Sequence, residues 1–253
     1  MGAAGGRSDR WRAGLVVGSL LVASQLNGCT TGGGDGRGVG RGPAAPVSTR
    51  EYGLSAQGRP LLVTVVGAVV ADRVMVLGCL HGDECGEAPI VEELARRVPP
   101  AGRSYYLIEH PNPDGEAVGT RTNAHQVDLN RNFAGWQQST PGSLYFSGPG
   151  PLSESESAAL AALILERPPV AVVSYHQAMN LVDWAGDQSR SAATDFAADT
   201  GIPLRATTAF PGSLATWLGA GHPETRVLTV ELPRPVPADL AERNVTAVEH
   251  LAE

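Results

Sequence analysis

Three apolar runs along this chain each end on a chemically capable residue. Residues 74–80 lead into His81 and Glu84, residues 170–175 into His176, and residues 227–230 into Glu231. Short Val/Leu-rich runs of this kind read as buried strands of an α/β sheet, whose carboxyl ends are where such folds build their sites. Residues 60–70 and 73–80 read as strands joined by a tight connection at Ala71-Asp72, and residues 104–108 as a further strand. Residues 88–98 carry apolar side chains at helical spacing, with Arg96 and Arg97 in the last turn and Pro99-Pro100 stopping the helix. Residues 153–166 predict a capped helix in which Ser153 is the N-cap and Glu156 completes a capping box, ended by Pro168-Pro169. A shorter helix is expected over 195–200 and a closing helix over 238–252. Between them, residues 110–150 form a long polar stretch rich in Asn, Gly and Pro, and a connection that long is usually functional.

Composition sets the scale of this pattern. A chain of 253 residues, 42% hydrophobic and 18% charged, can bury one substantial core, and one folded α/β domain is expected. The net charge of −7, the absence of a basic cluster after residue 50, and only five Tyr and four Phe argue against nucleic-acid binding.

The amino terminus follows a separate logic. Arg7, Arg10 and Arg12 precede an apolar stretch over 13–26 and then Cys29, the order of a secretory signal. That stretch, about 14 residues, is shorter than the ~20 that span a bilayer as a helix. Leu26-Asn27-Gly28-Cys29 resembles the bacterial lipoprotein processing box, which makes residues 1–28 a signal peptide and Cys29 the lipidated residue. Residues 29–47 read as a flexible Gly/Pro-rich linker, with the catalytic domain over 48–253. An exported lipoprotein tethered to the membrane in the cell envelope is expected, with plain secretion as the alternative. Cys79 and Cys85 then lie in a disulfide-permissive setting, and two small buried hydrophobes are favoured over a bridge between them.

His81-Gly82-Asp83-Glu84 sets an imidazole and a carboxylate three residues apart. A third ligand from a distant strand, His176, makes a His/Glu/His set with a fourth position open, the pattern of a catalytic zinc site. His110, His125, His222 and His250 read as surface or core residues, and Trp136, Trp184 and Trp217 as packing residues.

Three further motifs give this set its context: Asn112-Pro113-Asp114-Gly115, Gly119-Thr120-Arg121-Thr122-Asn123, and Asp128-Leu129-Asn130-Arg131-Asn132-Phe133. With His81/Glu84, His176 and Glu231 in that order, the chain resembles the zinc metallocarboxypeptidases, and within them the bacterial murein peptide amidase branch. The resemblance covers about residues 74–232. It implies a single domain with a mixed, twisted sheet flanked by helices on both faces, and one zinc ion held by His81, Glu84 and His176. It makes Glu231 the general base, Arg121 the stabiliser of the oxyanion, Asn130 and Arg131 the holders of the substrate's free carboxylate, and Asp128 the partner that orients His81. The implied substrate is a peptide or muropeptide, cleaved between D-glutamate and diaminopimelate in peptidoglycan stem peptides; a monomer is expected. The family carries a tyrosine in a loop over the site, whereas residues 206–213 here contain none. The pocket floor near Leu214 is uncharged, so no direct pairing with a charged terminal side chain is indicated. An N-acyl amino acid deacylase of the aspartoacylase kind shares His-x-x-Glu and Asp-x-Asn-Arg, and a non-catalytic peptide-binding lipoprotein is the reading from another class.

Overall fold

In the computed structural model, which describes residues 45–69 and 71–253, the apolar runs become strands of one mixed sheet. The signal segment, Cys29 and most of the expected linker lie outside the described residues. The strands are β1 (Val47–Leu54), β2 (Pro60–Gly67), β3 (Asp72–Leu77), β4 (Arg103–Ile108), β5 (Ala171–Gln177), β6 (Leu181–Ala185) and β7 (Arg226–Leu232), in the order β1-β2-β4-β3-β5-β7-β6. The centre, β4-β3-β5-β7, is parallel, and antiparallel pairings β1–β2, β2–β4 and β6–β7 complete the two flanks. β3 and β5 are buried on both faces, which is why they read as unbroken apolar runs rather than as alternating ones.

Side-chain alternation along these strands feeds two cores. Val74 and Val76 of β3 and Val173 and Tyr175 of β5 face α1 (Ala88–Leu94), α4 (Arg190–Thr200) and α6 (Ala238–Ala252). Met75, Leu77 and Val172 face the other way, against α3 (Ser155–Glu166) and α5 (Leu214–Gly221). Helices therefore cover both faces, as expected, and the closing helix has the expected bounds.

Three local expectations are corrected. β2 and β3 are close in sequence but not paired, because β4 lies between them. α1 ends at Leu94, and Arg96 and Arg97 lie beyond it, paired with Glu92, Glu93 and Glu242. No capping box forms at α3, whose N-cap is Glu154. Glu156 instead accepts hydrogen bonds from the Ala56 amide (2.9 Å) and the Asn123 side chain (3.3 Å), so tertiary partners take the carboxylate that local pattern assigned to the helix end.

Candidate metal centre and its cleft

The carboxyl ends of β3, β5 and β7 meet at one place. Beyond Leu77 the chain turns through a segment without regular structure that carries His81 and Glu84 before α1 begins. His176 is still within β5, and its registered neighbour across the parallel ladder is Glu231 of β7, which puts the two side chains on one face. His81 Nδ1 lies 2.8 Å from Glu84 Oε2, and His176 Nδ1 lies 3.0 Å from the same oxygen and 3.1 Å from His81 Nδ1. Two imidazole nitrogens and a carboxylate oxygen thus point at one another. At most one proton can occupy each nitrogen pair, whereas a cation among them satisfies all three, so the donor set fits a metal ion.

The outer nitrogens are engaged as well, which fixes both rings. His81 Nε2 is 3.1 Å from Asp128 Oδ1, and His176 Nε2 lies near Ser174 Oγ (3.3 Å) and Asn130 Nδ2 (3.4 Å). Arg121 donates to Asp128 Oδ2 at 3.0 Å and to Glu84 Oε1 at 3.2 Å, linking the two carboxylates behind the histidines. Burial opposes charge on Glu84, but hydrogen bonds with His176 and His81 outweigh it and hold the carboxyl well below the usual range. Asp128 is likewise buried, and its bond to His81 together with Arg121 brings it down to about 2. Burial disfavours charge on His81, yet Asp128 and Glu84 leave it raised, whereas for His176 burial wins and lowers it.

A cleft of about 750 Å³ opens over this cluster. Of the residues singled out in the sequence, His81, Glu84, Arg121, Asn130, Arg131, His176 and Glu231 all line it, and Asp128 sits behind His81. Arg131 packs its guanidinium 4.5 Å from the Phe210 ring and 5.8 Å from Tyr145, and donates to the Asn130 carbonyl at 2.7 Å. Burial lowers its pKa. Asn130 is anchored through Oδ1 by the Leu214 amide (2.9 Å) at the start of α5.

Other motif residues build the scaffold instead. Asn112 caps α2 (Pro113–Val118) by accepting from the Gly115 amide at 3.0 Å, and its Nδ2 donates to the Leu80 carbonyl at 3.2 Å, tying α2 to the ligand segment. A Cβ on Gly82 would lie 2.2 Å from the Glu116 amide nitrogen, so only glycine permits this approach. Asn132 is buried and donates to the Ser147 and Gly150 carbonyls, which orders the long polar stretch without regular elements.

Three features escaped the sequence reading. Tyr145, from the polar stretch, lines the cleft with its ring 5.2 Å from the Arg121 guanidinium, although residues 206–213 bring Phe210 and no tyrosine. Asp183 of β6 adds a carboxylate to the cleft wall and accepts from the Thr207 amide at 3.2 Å, so the wall is not uncharged throughout. Cys79 and Cys85 form a disulfide, with Cα atoms 4.5 Å apart, in place of the two independent hydrophobes expected. Tyr145 was legible only as an aromatic in a stretch already suspected of function; a short strand such as β6 leaves no comparable signal.

Comparison with known proteins agrees with this geometry. A zinc carboxypeptidase family profile matches residues 44–209. The chain is 30% identical over 225 residues to murein peptide amidase A of Escherichia coli strain K12, covering 82% of this chain and 90% of that protein. It is 32% identical over 216 residues to murein peptide amidase A of Vibrio campbellii, covering 77% and 82%. The solved murein-tripeptide amidase of Escherichia coli O157 superposes with a TM-score of 0.65 at 29% identity, over 83% of this chain and 93% of that one. Carboxypeptidase A of Helicoverpa armigera, 17% identical with a TM-score of 0.68, covers 83% of this chain and 69% of its own, and shares the fold.

Proposed function

The chain belongs to the zinc carboxypeptidase family, and from that premise we propose that its cleft hydrolyses the amide bond preceding a residue with a free carboxylate, in murein stem peptides. The convergence of His81, Glu84 and His176 on one point, with Glu231 beside His176, carries the reading. The murein peptide amidases that it resembles over most of their length support the substrate class, and we take the bond between D-glutamate and diaminopimelate as the one cut.

His81, Glu84 and His176 would hold one zinc ion, with Asp128 fixing the His81 ring and the Ser174 hydroxyl accepting from His176 Nε2–H. Zinc supplies a Lewis acid there and lowers the pKa of water toward ~7. Glu231, the neighbouring carboxylate in the cleft, takes the proton from the attacking water and returns it to the departing amine. Arg121 places a fixed cation where the carbonyl oxygen gains charge. Arg131, held between Phe210 and Tyr145, offers its planar fork to the substrate carboxylate with Asn130 beside it.

The amino-terminal order of basic, apolar and Cys29 positions supports an exported lipoprotein, anchored to the membrane by lipid on Cys29 and working on the cell wall. Release of diaminopimelate from a muropeptide tests the enzymatic reading. Glu231→Gln is expected to lose at least about 10³-fold in kcat while binding zinc like the parent. Unchanged turnover in that variant would remove Glu231 from the mechanism.

A further inference from the structure

We propose that the Cys79–Cys85 disulfide is a positioning element for the metal site, closing the segment that carries His81 and Glu84 and tightening zinc binding when it is formed. The inference rests on the zinc-ligand reading above and extends it to regulation of the same site.

The three ligands are not equally supported. His176 sits in β5, two residues past the end of its pairing with β3 and still in register with Glu231 of β7, so the ladder to β7 holds it. His81 and Glu84 lie between the end of β3 at Leu77 and the start of α1 at Ala88, outside regular structure. Backbone bonds within this segment are sparse: Gly78 donates to the Ile108 carbonyl at one end and Glu84 to the His81 carbonyl inside it. The bridge joins positions six apart and encloses His81, Gly82, Asp83 and Glu84 in one covalent ring. Cys79 has φ of +44°, a left-handed conformation that non-glycine residues seldom adopt, and such backbone persists where the surroundings over-determine it. Cys79 is buried, whereas Cys85 is only partly so and lies 3.6 Å from the Gly82 carbonyl. One end of the ring is thus anchored under β3, and the other lies within reach of an exchanging thiol.

Forming the bridge removes two electrons and two protons from the Cys79 and Cys85 thiols. A disulfide oxidant takes them and leaves as its dithiol; a dithiol reductant reverses the step. Without the bridge the ligand segment samples conformers in which His81 and Glu84 do not meet His176, and zinc must select among them. For a ring this small the lost restraint corresponds to at most about 50-fold in affinity. A chain still in a reducing compartment would bind zinc weakly, and oxidation would complete the site.

The sulfurs of Cys79 and Cys85 and a Glu116 carboxylate oxygen lie within 4.8 Å of one another, so reduction alone would expose thiolates able to compete for zinc. The test is therefore the full-length Cys79→Ala/Cys85→Ala variant beside the oxidised parent, with the zinc dissociation constant read by competition with a chromophoric chelator. The expected result is a dissociation constant raised about 10- to 50-fold, with the metal-free fold retained by circular dichroism and kcat restored by excess zinc. A purely structural role would not give that recovery. If the double variant does not fold, Cys85→Ala alone, which keeps the buried Cys79, takes its place with the same expectation. Zinc affinity within twofold of the parent in a folded variant would overturn the proposal and leave the zinc reading standing, whereas an oxidised parent that binds no zinc would overturn both.

Discussion

Glu87 gives the sharpest physical test of this interior. The residue is 1% exposed, and neither carboxylate oxygen has a hydrogen-bond partner among the described residues. Its carboxyl lies against Gly78, where an added Cβ would sit 1.8 Å from Oε1, so the group is packed in and not merely shielded. Burial, with Glu109 and Glu116 nearby, outweighs the opposing pull of the Glu87 and Cys79 backbone and pushes its pKa up from 4.5 to about 8. The folded chain therefore keeps this proton up to about pH 8, while the unfolded chain releases it near 4.5. Between those values the folded state binds more protons, so stability is full below pH 4.5, falls as pH rises, and levels off above about 8. Each pH unit in that window costs about 1.4 kcal/mol, and water reaching the opened site limits the whole loss to about 2–5 kcal/mol. Glu87→Gln keeps the shape and abolishes the titration. Urea unfolding of parent and variant at pH 5, 7 and 9, with chelator present so that metal linkage drops out, should show their difference moving toward the variant by about 2–4 kcal/mol from pH 5 to pH 9. A difference constant within about 0.5 kcal/mol would mean that Glu87 is ionised or solvated in the folded chain, and the reasoning from burial would fail.

Three other outcomes follow from the cleft. Asp128→Asn leaves the His81 ring without its carboxylate partner and should weaken zinc binding about 10- to 100-fold, as read by chelator competition. Gly82→Ala drives a methyl group into the Gly115–Glu116 backbone, where α2 cannot yield cheaply; a loss of about 1–3 kcal/mol in thermal or urea unfolding is expected, with zinc affinity falling in parallel. Arg131→Ala should raise KM about 100-fold on a substrate with a free carboxylate and hardly change it on the carboxamide analogue; an equal effect on both would place the carboxylate elsewhere.

The chemistry of this chain was more legible in its sequence than its wiring. β3, β5 and β7 announced themselves because strands buried on both faces are written in continuous Val and Leu, and the residues that end them are the ones the sheet brings together. α6 could be bounded because Leu240, Val245, Val248 and Leu251 recur at helical spacing on its buried face. β1 has no such signature: its residues are mostly exposed, and an edge strand needs no apolar run. α5 carries two glycines, and its start combines a local cap, Ser213 accepting from the Thr216 amide, with a tertiary bond, Asn130 accepting from the Leu214 amide. The insertion of β4 between β2 and β3 is a long-range choice that no local pattern encodes.

Polar residues divide along the same line. Arg121, Asn130 and Arg131 line the cleft, where their motif puts them. Glu156 and Ser153 satisfied a local rule equally well, yet the Ala56 amide lies a hundred positions from Glu156 in sequence and claims that carboxylate. A capping box is worth about a kilocalorie, whereas here the carboxylate serves both the partly buried Ala56 amide and the buried Asn123 side chain, and a buried donor left without an acceptor costs about as much or more, so the distant partners win. Asn112, which is both a local cap and a tether to Leu80, holds the ligand segment by two bonds that agree. Where local and tertiary demands fall on one side chain, as at Asn112, the sequence reads true; where they compete, as at Glu156, only the fold decides.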